Sequence, residues 1–347
     1  MKDHFLNRTR FFWLLLVGVI LFSCATAQAQ KPSLFDQWTH EDMLDIELDT
    51  KLSNLLDSNR LNNEYQDANF RYTNADGEEE LFDMKIRLRG KFRRKNCVFP
   101  PIKLNFDKDD LKARGWRKDD QFKLVTPCIV GPLGRDYVLR EYLAYKIFQE
   151  ISEVHFRVQL VRFVIKDRDS RKKLKGWGFI IEDEKTLANR FDLEKCDECY
   201  SLSPDKFDQK NLRRTALFQY LIGNADWSVT LAKNLEILRT EDQPYTYYAV
   251  PYDFDYSGFV NPSYATPNRD YNLTSVRDRI FLADFSDEDM QPAIRAFLEK
   301  KQTITNLIWD FKRLDYDSRN DLLEYVEECF RQIAQEGLKR PERLIGH

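Results

Sequence analysis

Residues 217–258 read LFQYLIGNADWSVTLAKNLEILRTEDQPYTYYAVPYDFDYSG, and the order of elements in this stretch decides how the rest of the chain is read. Leu217, Tyr220 and Leu221 share one helical face, and Gly223 is a stop signal for that helix. Asp226 therefore falls in the loop after a helix end, and Asn234 opens the next run. Runs from Asn234 to Arg239 and from Tyr245 to Val250 flank a Glu-Asp-Gln-Pro turn, which predicts a β-hairpin. Asp253 and Asp255 follow on the exit from the second strand, between aromatic residues. Carboxylates on a segment that should be buried need a metal or a cationic partner, because uncompensated buried charge is costly.

The N-terminus carries an address rather than fold. Lys2, Arg8 and Arg10 precede an apolar core, Phe11 to Phe22, and Ala27-Gln28-Ala29 places small residues at −3 and −1 of a cleavage site. Residues 1–29 thus read as a signal peptide, whose core is short of the about 20 apolar residues of a spanning helix. Leu21-Phe22-Ser23-Cys24 also resembles a lipoprotein cleavage box. Cleavage before Gln30 is the expectation, with a lipid on Cys24 as the alternative and the only route to a membrane. Either way the expected location is periplasmic or secreted. Without the leader, Lys+Arg falls from 54 to 51 and Asp+Glu from 57 to 56, a net charge of −5. That balance gives no support to a nucleic-acid partner. Five of the six cysteines remain, and outside the cytoplasm disulfides become permitted. Cys97 and Cys128 are a candidate pair. Cys196-Asp197-Glu198-Cys199 is a disulfide or two plain cysteines, since one CxxC falls short of the four ligands of a structural zinc. An odd count leaves at least one thiol over unless pairing is intermolecular.

From residue 30 to 183 the pattern is strand-rich. Leu34 to Asn63 is helical or irregular, and strands are expected at Glu64–Tyr72, Leu81–Phe92, Pro101–Phe106, Phe122–Val125, Phe156–Lys166 and Lys175–Glu182. One helix interrupts them, with Asp136 at its start and Leu139, Leu143, Ile147 and Ile151 along one stripe. From 184 to 347 helices dominate apart from the hairpin, with amphipathic pairs at Asp287–Phe311 and Asp317–Gln335. This order predicts an α+β protein of two lobes, strand-rich first and helical second.

Helix, Asp in a loop, Asn, hairpin, Asp is the order of parts in a kinase-type phosphoryl-transfer site. The chain resembles the CotH-like secreted kinases, an atypical branch of the protein-kinase superfamily. The resemblance is carried by Ile86-Arg87-Leu88-Arg89-Gly90, Pro101-Ile102-Lys103-Leu104-Asn105-Phe106 and Leu139-Arg140-Glu141-Tyr142-Leu143-Ala144. It continues through Gly178-Phe179-Ile180-Ile181-Glu182, Gly223-Asn224-Ala225-Asp226 and Pro251-Tyr252-Asp253-Phe254-Asp255. It implies a two-lobed protein-kinase-like fold that binds ATP with Mg²⁺ or Mn²⁺ and phosphorylates protein hydroxyls in the envelope or outside. On that resemblance Asp226 is the catalytic Asp, and Asn234 with Asp253 holds metal, Asp255 competing with Asp253 for the role. Lys103 is the phosphate-binding Lys, Glu141 its helical partner, and Glu182 lies where the lobes join. Arg89 joins the nucleotide-binding set. Arg87, Arg89, Arg93 and Arg94 form a basic face that belongs to the site only if it faces Asp253. The chain departs from the pattern in three ways. Asn234 lies eight residues after Asp226, not five. Phe99-Pro100 stands where the family has a basic pair, and Gly90 is the only glycine near a phosphate loop.

Two functions stay open. One is an active exported protein kinase. The other is a pseudokinase, or a metal- or partner-binding module of the envelope, which the scarcity of ATP outside the inner membrane favours. Retention of Asp226, Asn234, Asp253 and a candidate Lys together favours the first.

Overall fold

Phe82, Met84, Ile86 and Leu88 alternate with Asp83, Lys85 and Arg87, and this period of two turns every apolar side chain to one face of the strand. In a computed structural model, which describes residues 31–40 and 42–341, that face points into a closed barrel. Its seven strands are β1 (Leu44–Thr50), β2 (Gln66–Thr73), β3 (Glu79–Leu88), β4 (Ile102–Phe106), β5 (Gln121–Val125), β6 (Val158–Asp167) and β7 (Lys173–Ile181). They run in the order β1-β2-β3-β4-β5-β7-β6, and β1 closes the ring by pairing in parallel with β6 from Leu44 opposite Val161 to Thr50 opposite Asp167. Helix α1 (Leu34–Trp38), started by a Ser33–Asp36 capping box, contributes Trp38 to the interior. There Trp38 lies 5.0–6.2 Å, ring to ring, from Phe70, Tyr72, Phe106 and Phe122. Losing an aromatic of this size from a core costs about 3–5 kcal/mol.

Besides a short helical segment at Asn54–Ser58 and Asn59–Asn62, this half also holds the helices α2 (Lys91–Asn96), α3 (Lys108–Ala113) and α4 (Pro132–Ile151). The stripe Leu139, Leu143, Ile147 and Ile151 of α4 is buried in a second core, shared with the helical half of the chain. That half contains α5 (Glu184–Asn189), α6 (Gln209–Leu221), α7 (Asp287–Glu299), α8 (Lys301–Asp310) and α9 (Tyr316–Gln335). It also holds a sheet ordered β10-β9-β8, built from β8 (Leu193–Lys195), β9 (Leu235–Thr240) and β10 (Tyr247–Pro251). The α+β class is therefore as expected, whereas the strand-rich half is a closed seven-stranded barrel.

Three elements differ from the sequence expectation. Residues 44–50, assigned to a helical or irregular segment, form the strand that closes the barrel. The strand expected over Leu81–Phe92 stops at Leu88; Gly90 takes φ +77°, and the basic residues after it wind into α2. The helix expected over Asp287–Phe311 is two helices that meet at Lys300. Cys97–Cys128 and Cys196–Cys199 are disulfides, and Cys329 is a buried free thiol. The leader and Cys24 lie outside the described residues. Among the described residues no helix is long and apolar enough to cross a membrane.

Candidate active site

Helix α6 ends at Leu221, and Gly223 follows at φ +61°, a left-handed conformation that glycine adopts without strain. A second reason requires glycine here. A Cβ on Gly223 would lie 2.2 Å from the Tyr325 hydroxyl, and one on Gly258 would lie 2.4 Å from the same atom. The two glycines also meet each other, the Gly258 amide donating to the Gly223 carbonyl at 3.1 Å. Tyr325, reaching in from α9, donates to the Arg277 carbonyl. This crowded point ties the loop bearing Asp226 to the loop bearing Asp253 and Asp255.

Each loop is then fixed locally. Buried Asn224 accepts from the Asp226 amide at 2.9 Å and donates to Gln219 Oε1 at 2.9 Å. Asn234 donates through Nδ2 to the Asp226 carbonyl (2.6 Å) and carboxylate (3.1 Å), leaving its Oδ1 for a ligand. The Asp226 carboxylate also forms an ion pair with Lys233. The Asp253 amide donates to the Tyr145 hydroxyl of α4 at 3.0 Å. Asn234 and Asp253 both sit at positive φ, +54° and +63°. Asn and Asp tolerate that region better than most residues, and backbones held there gather at functional sites.

The hub of the site is Arg93, on α2. Its Nη2 lies 2.7 Å from Asp253 Oδ1, 2.8 Å from Asp255 Oδ1 and 3.6 Å from Glu141 Oε1. Burial works against the guanidinium charge, yet Asp255, Asp253 and Glu141 outweigh it and hold Arg93 well above its ordinary pKa. Three carboxylates cannot all be satisfied by one guanidinium. Burial pushes Glu141, the most distant of the three, up to about 8, with Asp255 and Asp253 adding to the rise against the pull of Arg93. Burial also raises Asp255, to about 6, beside Asp253 and despite Arg93. Glu141 is thus driven toward its protonated form more strongly than Asp255.

These groups line a cavity of about 410 Å³ with three kinds of wall. Asp226, Asn234, Asp253, Asp255 and Glu141 form an acidic side; Arg89, Lys91 and Arg93 a basic edge; Val125, Ile181 and Tyr252 an apolar bed. Of the residues expected in a site, six therefore share one cavity: Asp226, Asn234, Asp253, Asp255, Glu141 and Arg89.

Two others are not brought there. Ile102 and Leu104 fill the barrel, so the period of two turns Lys103 to the outer face of β4, opposite Arg87 on β3 and Lys123 on β5. Arg93 holds the place beside Glu141 that Lys103 was expected to take. Glu182 is fully buried in ion pairs with Arg157 (3.0 Å) and Arg190 (2.7 Å), outside the cavity. Lys233 and Tyr145 were not singled out in the sequence at all. Lys233 lacks any local signal, and Tyr145 looks like a core aromatic of α4. For Arg93 a signal existed, since the basic run after Gly90 counts as part of the site once it faces Asp253, which it does.

Among the described residues no three His, Cys, Asp or Glu side chains are close enough to form a ready metal site. The donor set nonetheless fits a divalent cation. It offers hard oxygens from Asp253, Asp255 and the free Oδ1 of Asn234. It also carries a surplus of negative charge already drawn onto a guanidinium.

No protein-family model matches the chain, and no curated protein is detectably similar to it. Among solved structures, a Helicobacter pylori proinflammatory kinase, CtkA, is similar over 65% of this chain and 86% of its own, at 12% identity and a TM-score of 0.37. A likeness that loose assigns neither fold nor activity. The class of protein therefore rests on the barrel, the helical half and the three-walled cavity.

Proposed function

We propose that the chain is an exported, CotH-like, two-lobed protein kinase that transfers the terminal phosphoryl group of ATP to a protein hydroxyl. The observation that carries this reading is the chemistry of one cavity: an apolar bed for a base, a basic edge for phosphates and an acidic side for the cation that accompanies them. A pocket for metal alone needs no basic edge, and an anion pocket needs no acidic side.

In this reading Asp253, Asn234 Oδ1 and Asp255 would hold Mg²⁺ or Mn²⁺, which would supply charge neutralisation at the phosphates. Asp226 stands half-exposed at the mouth of the acidic side and accepts the proton of the attacking hydroxyl. As that oxygen bonds to the terminal phosphorus, the bond from phosphorus to the bridging oxygen breaks and ADP leaves. Lys233 holds the Asp226 carboxylate in place through their ion pair. Arg93 is the cation available for phosphate oxygens, in the role the resemblance gives to Lys103.

A second reading, a pseudokinase, is favoured by one observation: Arg93 already bridges Asp253 and Asp255, as a cation does in a site that has given up its metal. Labelled ATP with Mg²⁺ or Mn²⁺ decides between them. Incorporation of the terminal phosphate into the protein or an added acceptor, lost in Asp226→Asn, supports the kinase. A metal-dependent thermal shift with no transfer supports the pseudokinase.

A further inference from the structure

A second cavity, of about 610 Å³, lies between the barrel, the start of α4 and the turn between α8 and α9. Its floor is apolar, with Phe99, Leu139, Phe163 and Leu314 buried beneath it. Its rim is cationic: Arg135, Lys175, Lys312 and Arg313. Two carboxylates also line it, and both are committed within the fold. Asp136 binds Arg140 at 2.6 Å and accepts from the Ser318 hydroxyl, while Asp315 caps α9 by accepting from the Ser318 amide.

The four cations meet no acid, although Lys312 donates to the Trp309 carbonyl at 2.7 Å and Arg135 to the Arg313 carbonyl at 3.2 Å. Among the described residues no carboxylate forms an ion pair with any of them. Arg135 and Arg313 instead stack over Trp177, their guanidinium carbons 4.2 and 5.7 Å from its ring. Four unpaired cations are unexpected on a chain whose net charge is −3. The start of α4 adds to them. Gly131 caps this 20-residue helix without a side-chain hydrogen bond, and its first turn borders the cavity. Beside it Val130, which lines the cavity, is 68% exposed and gives the opening an apolar lip.

We propose that this cavity binds a small amphiphilic anion, an alkyl or aryl body bearing a phosphate or carboxylate. The body would lie on the apolar floor and the head among Arg135, Lys175, Lys312 and Arg313. The volume is within the range of ordinary ligand pockets, about 300–1,000 Å³. A purely polar anion would leave the floor wet, and a neutral alkane would leave the cations unanswered. The site is separate from the acidic cavity and does not depend on phosphoryl transfer.

The test is calorimetric titration of the full chain with three probes of one chain length: octyl phosphate, octanol and octyltrimethylammonium. Octyl phosphate should bind at least about 10-fold more tightly than octanol, the worth of one charge-assisted contact, and the ammonium should not bind. The double variant Arg135→Glu/Arg313→Glu and the single variant Val130→Asp should each lose about 10-fold or more for octyl phosphate. All three residues are exposed, so the variants should melt as the wild type does. Equal binding of the three probes, or unchanged affinity in both variants, would overturn the proposal. A flotation arm with phosphatidylglycerol vesicles separates the sources. Vesicle binding that octyl phosphate cannot displace would mean a membrane surface instead of a pocketed anion, and would equally overturn it.

Discussion

Glu141 and Glu182 are both buried glutamates, and both were expected beside the nucleotide, yet their surroundings differ in charge balance. Glu182 lies against two guanidinium groups, Arg157 and Arg190, and Arg157 in turn holds Asp36 at 2.8 Å. Two acids meet two bases, and the Arg157 amide also donates to the Glu182 carboxylate at 2.6 Å. Glu141 shares a single guanidinium with Asp253 and Asp255, so three acids meet one base. A balanced buried cluster joins parts of a fold and has nothing left to bind. One with more carboxylates than guanidinium groups in direct contact still attracts a cation, and here it borders a cavity. Burial alone does not separate the two glutamates; the count of opposite charges within reach does.

The largest expected effect comes from removing an acid from the deficient cluster. Asp253→Ala should reduce phosphoryl transfer below detection and abolish any metal-dependent thermal shift with nucleotide, because the ligand is lost from ground and transition states alike. Thermal-shift titration with ATP and Mn²⁺ reads it directly. A variant that still shows the metal-dependent shift would end the metal role of Asp253. Asp226→Asn should be milder and more selective, lowering transfer by a factor on the order of 10² to 10⁴ while sparing nucleotide binding. Parallel loss of binding in this variant would make Asp226 a ligand instead of a base.

The two clusters should also break differently. Arg93→Ala strands three carboxylates and should cost roughly 3–5 kcal/mol at neutral pH, as removal of one partner of a buried pair does. Added Mn²⁺ should recover part of that loss. Glu182→Ala strands two arginines and should cost a similar roughly 3–5 kcal/mol, with no recovery by metal. Denaturant melts with and without Mn²⁺ check both variants. If metal rescues both or neither, charge balance is not what separates the clusters.

Much of this comparison was hidden in the sequence. Asp226, Asn234, Asp253 and Asp255 were legible because they sit at the ends of elements whose periods change there, from 3.6 to 2 and out again. Glu141 was legible only through the resemblance, since it lies off the apolar stripe of α4 and by pattern is an ordinary surface charge. The barrel was not, because its closure depends on β1. Leu44, Ile46 and Leu48 alternate with acids over only seven residues, and their parallel partner lies more than a hundred residues downstream on β6. Lys103 could not be placed for a related reason. A strand motif gives the residue types but not which outward positions of a closed barrel reach the cavity: Ile102 and Leu104 fill the interior, and Lys103 shares the outer face with Arg87 and Lys123 without lining the cavity. Arg93 was legible only as one member of a basic face, because Gly90 ends β3 and turns the next residues into the helix that carries Arg93 into the acidic cluster.

The last effect expected is the contribution of Glu141 to the dependence of stability on pH. Its folded pKa, about 8, lies above its ordinary value of 4.5. A carboxyl shifted that way favours the folded state fully below the ordinary value and loses that advantage as pH rises through the folded one. The part of the stability that Glu141 contributes should therefore decline between about pH 4.5 and 8. Asp255, raised from 3.8 to about 6, contributes only to the lower part of that window. Glu141→Gln keeps the shape of the protonated acid without its titration, so it should flatten its share of the decline between pH 6 and 8 and be more stable than the wild type at pH 8. Glu182→Gln, in the balanced cluster, should gain nothing there, since it removes the partner of two arginines. A divalent cation would displace the proton on Glu141. In the wild type Mn²⁺ binding should then release protons and weaken as pH falls from 8 to 6, and in Glu141→Gln it should do so much less. Denaturant melts over pH 5–9 and calorimetry in two buffers of different ionisation enthalpy give both quantities. A Glu141→Gln curve parallel to the wild type across pH 6–8 would place the proton elsewhere in the cluster.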